Sequence, residues 1–145
     1  MSTEQAQRAA VATEVLSWLG TPYHHHARIK GVGSDCAQIL CAVFEAVGRV
    51  GHIDLGNYPR DWHLHRSEEL YEQLLEQHGA RRLPEGVAPQ VGDIATFKFG
   101  RTYSHGGIFV DGETLVHAYV NASVTLTRLS EAPLAGRPAH FWTLW

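Results

Sequence analysis

Ser104-His-Gly-Gly-Ile-Phe-Val-Asp-Gly-Glu-Thr-Leu-Val-His-Ala-Tyr119 holds two short runs of alternating character on either side of Asp111-Gly112. It reads as two neighbouring antiparallel strands, Ser104 to Val110 and Thr114 to Val120. Because successive side chains point to opposite faces, the register decides whether His105 and His117 can meet. A two-residue turn at Asp111 and Gly112 pairs Gly106 with His117 and separates the imidazoles. A three-residue connection with Gly112 in the left-handed conformation, as a G1 bulge allows, pairs His105 directly with His117. The second register is the expectation. It puts His105, Gly107, Phe109, Leu115, His117 and Tyr119 on one face and Ile108, Val110, Val116 and Ala118 on the other, so each face has apolar anchors.

Further short strands are expected over Asp93 to Phe99, Ser123 to Leu129 and Ala139 to Trp145. The first half of the chain has helical spacing instead. Ala6, Ala9, Val11, Val15, Leu16, Trp18 and Leu19 mark a helix from about Thr3 to Leu19, stopped by Gly20-Thr-Pro22. A second helix runs from about Ser34 to Val47, and a third from Ser67 to His78, ended by Gly79. The segment Gly79 to Gly92 reads as the connector between the halves. Helices first and strands after predict an α+β fold with an antiparallel sheet of about five strands. At 145 residues and 44% hydrophobic content, the chain is expected to form one domain over 1–145.

A formal charge of −3 and a single adjacent arginine pair in a loop-like setting, Arg81-Arg82, give no basic footprint for nucleic acid. Ten histidines turn the net charge positive below about pH 6.5, which leaves an anionic wall or membrane surface open as a partner in acid. The start, Met-Ser-Thr-Glu-Gln-Ala-Gln-Arg, has no apolar signal region, and the stretch Ile39 to Val47 is too short to span a bilayer. No signal peptide and no transmembrane segment are therefore expected.

The second helix carries the chemistry. In Gly31-Val-Gly-Ser-Asp-Cys36 a glycine-rich loop passes through a capping serine, Ser34, and places Cys36 in the first helical turn. Unpaired N–H groups and the helix dipole favour a thiolate there, so a pKa below the ordinary thiol value of about 8.5 is expected. Cys36, Leu40, Val43 and Val47 share one stripe, so the thiol faces whatever packs on the helix. Cys41 lies roughly 140° around the same helix, too far from Cys36 for a disulfide, and reads as a buried thiol. Docking the helix on the His105 face, with Gly106 and Gly107 leaving room beside it, would give a nucleophile, a base and a third group to orient the base. His117 is the candidate orienter, with Asn121 the alternative if the register differs. Asp93, after Gly92 at a strand start, reads as a turn former.

Gly20-Thr-Pro-Tyr23, Asp35-Cys36, Val91-Gly-Asp-Ile-Ala-Thr-Phe97, His105-Gly-Gly-Ile and His117-Ala, in this order and spacing, resemble the NlpC/P60 cysteine peptidases, particularly the small single-domain versions encoded with phage tail genes. The resemblance runs from about Val15 to the C-terminus. The loop Tyr58-Pro-Arg-Asp-Trp-His-Leu-His65 is similar to an insertion in the phage-type members. The resemblance implies a papain-like fold with Cys36 as nucleophile, His105 as general base and His117 as third residue. It also implies cleavage of peptidoglycan stem peptides, typically beside D-glutamate and a diamino acid, without a cofactor. Tyr23 matches a tyrosine over the active site that helps hold the oxyanion with the Cys36 N–H, and Asp35 matches a position that holds the substrate's amino end. Two departures bear on substrate choice: Ala37 stands where many members have serine, and His24-His25-His26 where many have aromatic and glycine residues.

Other readings remain open at this level. The histidine run and His63/His65 invite zinc, but adjacent loop histidines cannot all face one ion, so solvated loop histidines and no resident metal are expected. Cys36, His105 and His117 could themselves be three metal ligands. The chain could also be a structural tail component, a plug or adaptor among other tail proteins, or an amidase or acyltransferase on the same fold. With no export signal, the expected location is the phage virion, or the host cytoplasm before assembly, with action at the cell wall.

Overall fold

The computed structural model describes residues 2–58 and 69–145. Helix α1 spans Thr3–Leu16 and opens on a capping box, in which Ser2 Oγ accepts from the Gln5 N–H and Gln5 Oε1 from the Ser2 N–H. A short hairpin follows, with β1 at Arg28–Ile29 and β2 at Gly33–Ser34, and then α2 at Gln38–Ala46 and α3 at Leu70–Gln77. The chain ends in β3 (Arg81–Arg82), β4 (Ile94–Phe99), β5 (Thr102–Phe109), β6 (Thr114–Ala118), β7 (Val124–Arg128) and β8 (Ala139–Thr143). The expected third helix keeps its end, while its expected opening at Ser67 lies outside the described residues.

The fold is α+β, with helices ahead of one antiparallel sheet. Among the described residues that sheet has six strands, ordered β3-β8-β4-β5-β6-β7. The additional strand is Arg81–Arg82, within the segment read as a connector, and it pairs with the end of the chain. The C-terminal strand does not extend the sheet beyond β7; it inserts between β3 and β4.

Both faces of the sheet are covered. Ile94, Ile108, Val116, Ala118 and Trp142 pack under the helices with Val11, Val15, Ile39, Leu40, Val43 and Phe44. Ala95, Phe97, Phe109 and Leu115 pack on the other face, closed by Leu134 from the loop before β8. Ile39 and Val43 are fully buried, each worth roughly 1.5–3 kcal/mol of transfer free energy. Asp93 does more than form a turn. Its carboxylate accepts from Arg8 Nη1 of α1 at 2.9 Å and from the Gln90 N–H at 2.8 Å. Arg8 also donates to the Val91 carbonyl and to Thr143 Oγ1, so one buried ion pair ties the first helix to β4 and β8.

The connection from β5 to β6 corrects the expected register. Ile108 pairs with Val116 and Phe109 with Leu115, so the next step along brings Gly107, not His105, opposite His117. Gly112 is not left-handed. The turn is held by Asp111, whose carboxylate accepts from the Glu113 N–H at 2.8 Å and the Thr114 N–H at 2.7 Å. Those N–H groups hold the Asp111 carboxyl below the usual carboxylate range. The register differs from expectation by two residues, so the assignment of side chains to faces survives.

Candidate active site

Cys36 stands at the entry to α2, in a turn just before the helix. The cap is Asp35, not Ser34. Asp35 Oδ1 accepts from the Ala37 N–H at 3.1 Å and the Gln38 N–H at 2.8 Å, and its carbonyl accepts from the Ile39 N–H. The Ser34 hydroxyl instead donates to the Asp35 carbonyl. From α3, the Tyr71 hydroxyl donates to the Cys36 carbonyl at 2.7 Å. Gly106 makes this approach possible, because a Cβ there would lie 2.8 Å from Tyr71 Cζ.

The helices cover the Ile108 face of the sheet, so α2 does not dock on the His105 face as the sequence suggested. The thiol reaches β5 through its backbone. Cys36 Sγ donates to the Ser104 carbonyl at 3.7 Å, one residue before His105. Two irregularities make room. Phe97 pairs with His105 but Lys98 with Tyr103, a β-bulge that leaves Ser104 without a counterpart on β4. In addition, β5 and β6 pair only at Ile108 and Phe109, so the strands part before reaching Ser104. Burial pushes the Cys36 thiol well above its ordinary range and the neighbouring Asp35 carboxylate adds to this; the Gly106 N–H opposes them. The expected lowering of the thiol pKa is therefore reversed in the resting protein, because desolvation and Asp35 outweigh the N–H groups of the helix entry.

The two histidines meet diagonally across β5 and β6. His105 Nε2 lies 2.7 Å from His117 Nδ1, and His117 Nε2 lies 2.9 Å from Thr127 Oγ1 on β7. Gly107 creates the space: a Cβ there would sit 3.1 Å from His117 Cβ and 3.0 Å from the Val116 carbonyl oxygen. Phe99 and Tyr119 pack edge-on against the His105 ring, with centroids 5.0 and 5.7 Å away. His117 is wholly buried, and burial brings its pKa down to about 4, so it is a neutral imidazole at pH 7. Asn121, the alternative orienter, is exposed in a turn after β6 with φ of 62°.

The remaining candidates cluster at the entry to α2. Tyr23 is half-buried against the main core; its N–H donates to the Ala122 carbonyl and its backbone bridges to Ser34. Asp35 is buried, and its second oxygen accepts from the His26 N–H at 2.8 Å and from the Tyr58 hydroxyl. His25 and His26 are not simply solvated. Their rings stack at 3.8 Å and pack edge-on against Tyr58, with both Nε2 atoms near the Tyr58 carbonyl, at 2.8 and 2.9 Å. His63 and His65 lie outside the described residues. Among the described residues, no three His, Cys, Asp or Glu side chains converge as a metal ligand set. His105 and His117 turn ring nitrogens toward each other instead.

Tyr71, Tyr58 and Thr127 also contribute polar contacts to the site, and the sequence does not mark them for it. Tyr71 sits on a predicted helix and Thr127 on a predicted strand, but neither carries a local signal of contact with residues 35 and 10 positions away. Together, the site offers a buried thiol beside the strand that bears one imidazole, with a second imidazole and a hydroxyl behind it. Those are the parts of nucleophilic acyl transfer.

Neither a protein-family model nor a curated protein sequence matches the chain. Solved structures do. NlpC1 from Trichomonas vaginalis is similar over 94% of this chain with a TM-score of 0.66 and 18% identity; this chain spans only 44% of that protein. The peptidoglycan hydrolase RipB from Mycobacterium tuberculosis is similar over 99% of this chain and 68% of its own, with a TM-score of 0.64 and 17% identity. The P60 domain of a Mycobacterium avium subspecies paratuberculosis antigen is similar over 99% of this chain and 98% of its own, with a TM-score of 0.61 and 18% identity. The fold is that of the NlpC/P60 domains.

Proposed function

We propose that this chain is a cysteine peptidase that hydrolyses amide bonds in the stem peptides of bacterial peptidoglycan. The observation that carries the reading is the placement of the Cys36 thiol against the Ser104 carbonyl, next to His105, whose ring is tied to His117 at 2.7 Å, within the fold of the NlpC/P60 domains. His105 accepts the thiol proton as Cys36 Sγ attacks the amide carbonyl. The tetrahedral oxyanion is met by the Cys36 N–H and by Tyr23. His105 then donates its proton to the leaving amine, and water releases the acyl-enzyme by the reverse sequence. Burial and Asp35 favour the protonated form of the resting thiol, so a base is required for attack. Asp35 is buried and accepts from the Tyr58 hydroxyl, so a substrate amine would meet the Asp35–Tyr58 pair, not a bare carboxylate.

Defined stem peptides incubated with the wild-type protein and with Cys36→Ala, followed by mass spectrometry, test the assignment. The wild type is expected to cleave and the variant not to. Equal product from both would remove Cys36 as the nucleophile, and no product from either would leave a scaffold without turnover as the better description.

The finer assignment, an enzyme carried by a phage tail and delivered to the wall with the particle, rests on the likeness of the five motifs to the tail-encoded members. Its test is the detection of this chain in purified virions, and its absence from them would remove the tail assignment while leaving the chemistry untouched.

A further inference from the structure

His117 presents its ring nitrogens to different neighbours, Nδ1 to His105 Nε2 at 2.7 Å and Nε2 to Thr127 Oγ1 at 2.9 Å. Thr127 is itself buried, on β7 in register with Leu115, on the face of the sheet that carries both histidines. Burial keeps His117 neutral, so it has one ring N–H to place.

Two proton arrangements complete the series from His105 through His117 to Thr127. In the first, His105 Nε2–H donates to His117 Nδ1 and His117 Nε2–H donates to the Thr127 oxygen. His105 Nδ1 then carries a lone pair. In the second, the Thr127 hydroxyl donates to His117 Nε2 and His117 Nδ1–H donates to His105 Nε2. The single proton of neutral His105 is then on Nδ1, which cannot act as a base. Only the first arrangement survives when His105 takes up a proton. Both nitrogens of the imidazolium bear hydrogen, so His117 Nδ1 must accept and its own proton must sit on Nε2. That buried N–H requires an acceptor, because an unpaired one costs about 1–3 kcal/mol.

We propose that Thr127 is a positioning residue: its hydroxyl holds His117 as the Nε2–H tautomer and thereby presents His105 with Nδ1 as the base. This deepens the peptidase reading and rests on His105 as its base. A Thr127→Val variant keeps the side-chain shape and removes the acceptor. His117 is then expected to move its proton to Nδ1, where His105 can accept it.

The experiment compares wild type, Thr127→Val and Thr127→Ser by nitrogen-15 NMR of labelled histidine, and by the pH profile of Cys36 alkylation with iodoacetamide. Wild type and Thr127→Ser are expected to show His117 protonated on Nε2. Thr127→Val is expected to show Nδ1–H and alkylation slower by roughly tenfold or more. A wild-type His117 protonated on Nδ1, or a Thr127→Val protein with unchanged tautomer and alkylation rate, would overturn the proposal. Should Thr127→Val fail to fold, the wild-type spectrum and the rescue by serine still decide. Both readouts need no peptide substrate, so failure of the peptidase reading leaves a separate mark: equal product from Cys36→Ala.

Discussion

His105 and His117 make a 2.7 Å ring contact although they are not cross-strand partners. The step after the Ile108–Val116 pair brings Gly107 opposite His117, and the imidazole of His105 reaches back over that glycine. A diagonal contact of this kind depends on the missing side chain between the two rings.

Gly107→Ala should therefore break it. The new Cβ would lie 3.0 Å from the Val116 carbonyl oxygen and 3.1 Å from His117 Cβ, and neither a sheet backbone nor a wholly buried ring yields easily. Overpacking of this sort costs about 1–3 kcal/mol. Thermal denaturation should show the loss, and stem-peptide hydrolysis should fall further than stability alone explains. A variant with wild-type activity and melting temperature would refute the account of Gly107.

The burial of His117 predicts an acid limb in stability. Its folded pKa, about 4, is depressed below the ordinary value near 6.5, so its contribution is complete above pH 6.5 and is lost as pH falls toward 4. The loss is on the order of 3 kcal/mol. Denaturant midpoints across this window should fall more steeply for the wild type than for His117→Gln, which cannot take up the proton. Equal slopes would show that His117 already titrates normally in the folded protein.

Tyr71→Phe leaves the Cys36 carbonyl, now accepting at 2.7 Å, without that donor. A buried acceptor left unpaired costs about 1–3 kcal/mol. The peptide that carries the Cys36 thiol also loses its tether to α3, so, on the proposed role of Cys36, kcat is expected to fall more than KM rises. An unchanged kcat would reduce Tyr71 to a packing residue.

Arg8→Met removes one partner of a buried ion pair and leaves Asp93 beside the sheet without its cation. Breaking such a pair costs about 3–5 kcal/mol. The double variant Arg8→Met, Asp93→Asn should recover part of the loss in urea denaturation, since no uncompensated charge remains. Strict additivity of the two single changes would show that the pair is not coupled.

Much of the site was legible in the chain because its signals are local. Cys36 follows a glycine-rich loop at a helix entry, and alternation alone places His105 and His117 on one face once their parity is right. Alternation specifies register only to within multiples of two, however. The actual value was settled by the Asp111 carboxylate gathering the Glu113 and Thr114 N–H groups, a turn that needs no left-handed Gly112. The thiol shift runs opposite to the sequence expectation for a related reason: the helix entry is visible in the sequence, whereas the burial and the nearby Asp35 charge that outweigh it appear only on folding.

By itself, the sequence determined the helical and stranded halves, the helix entry that bears the thiol and the shared parity of the two histidines, since periodicity and turn chemistry act over a few residues. Tertiary structure alone decided that β8 inserts beside β4, that the helices cover the face opposite His105, and that Tyr71 and Thr127 complete the polar contacts of Cys36 and His117. These are pairings between distant segments. They follow from which buried surfaces and hydrogen-bonding groups can be satisfied together, a condition that no short stretch of chain contains.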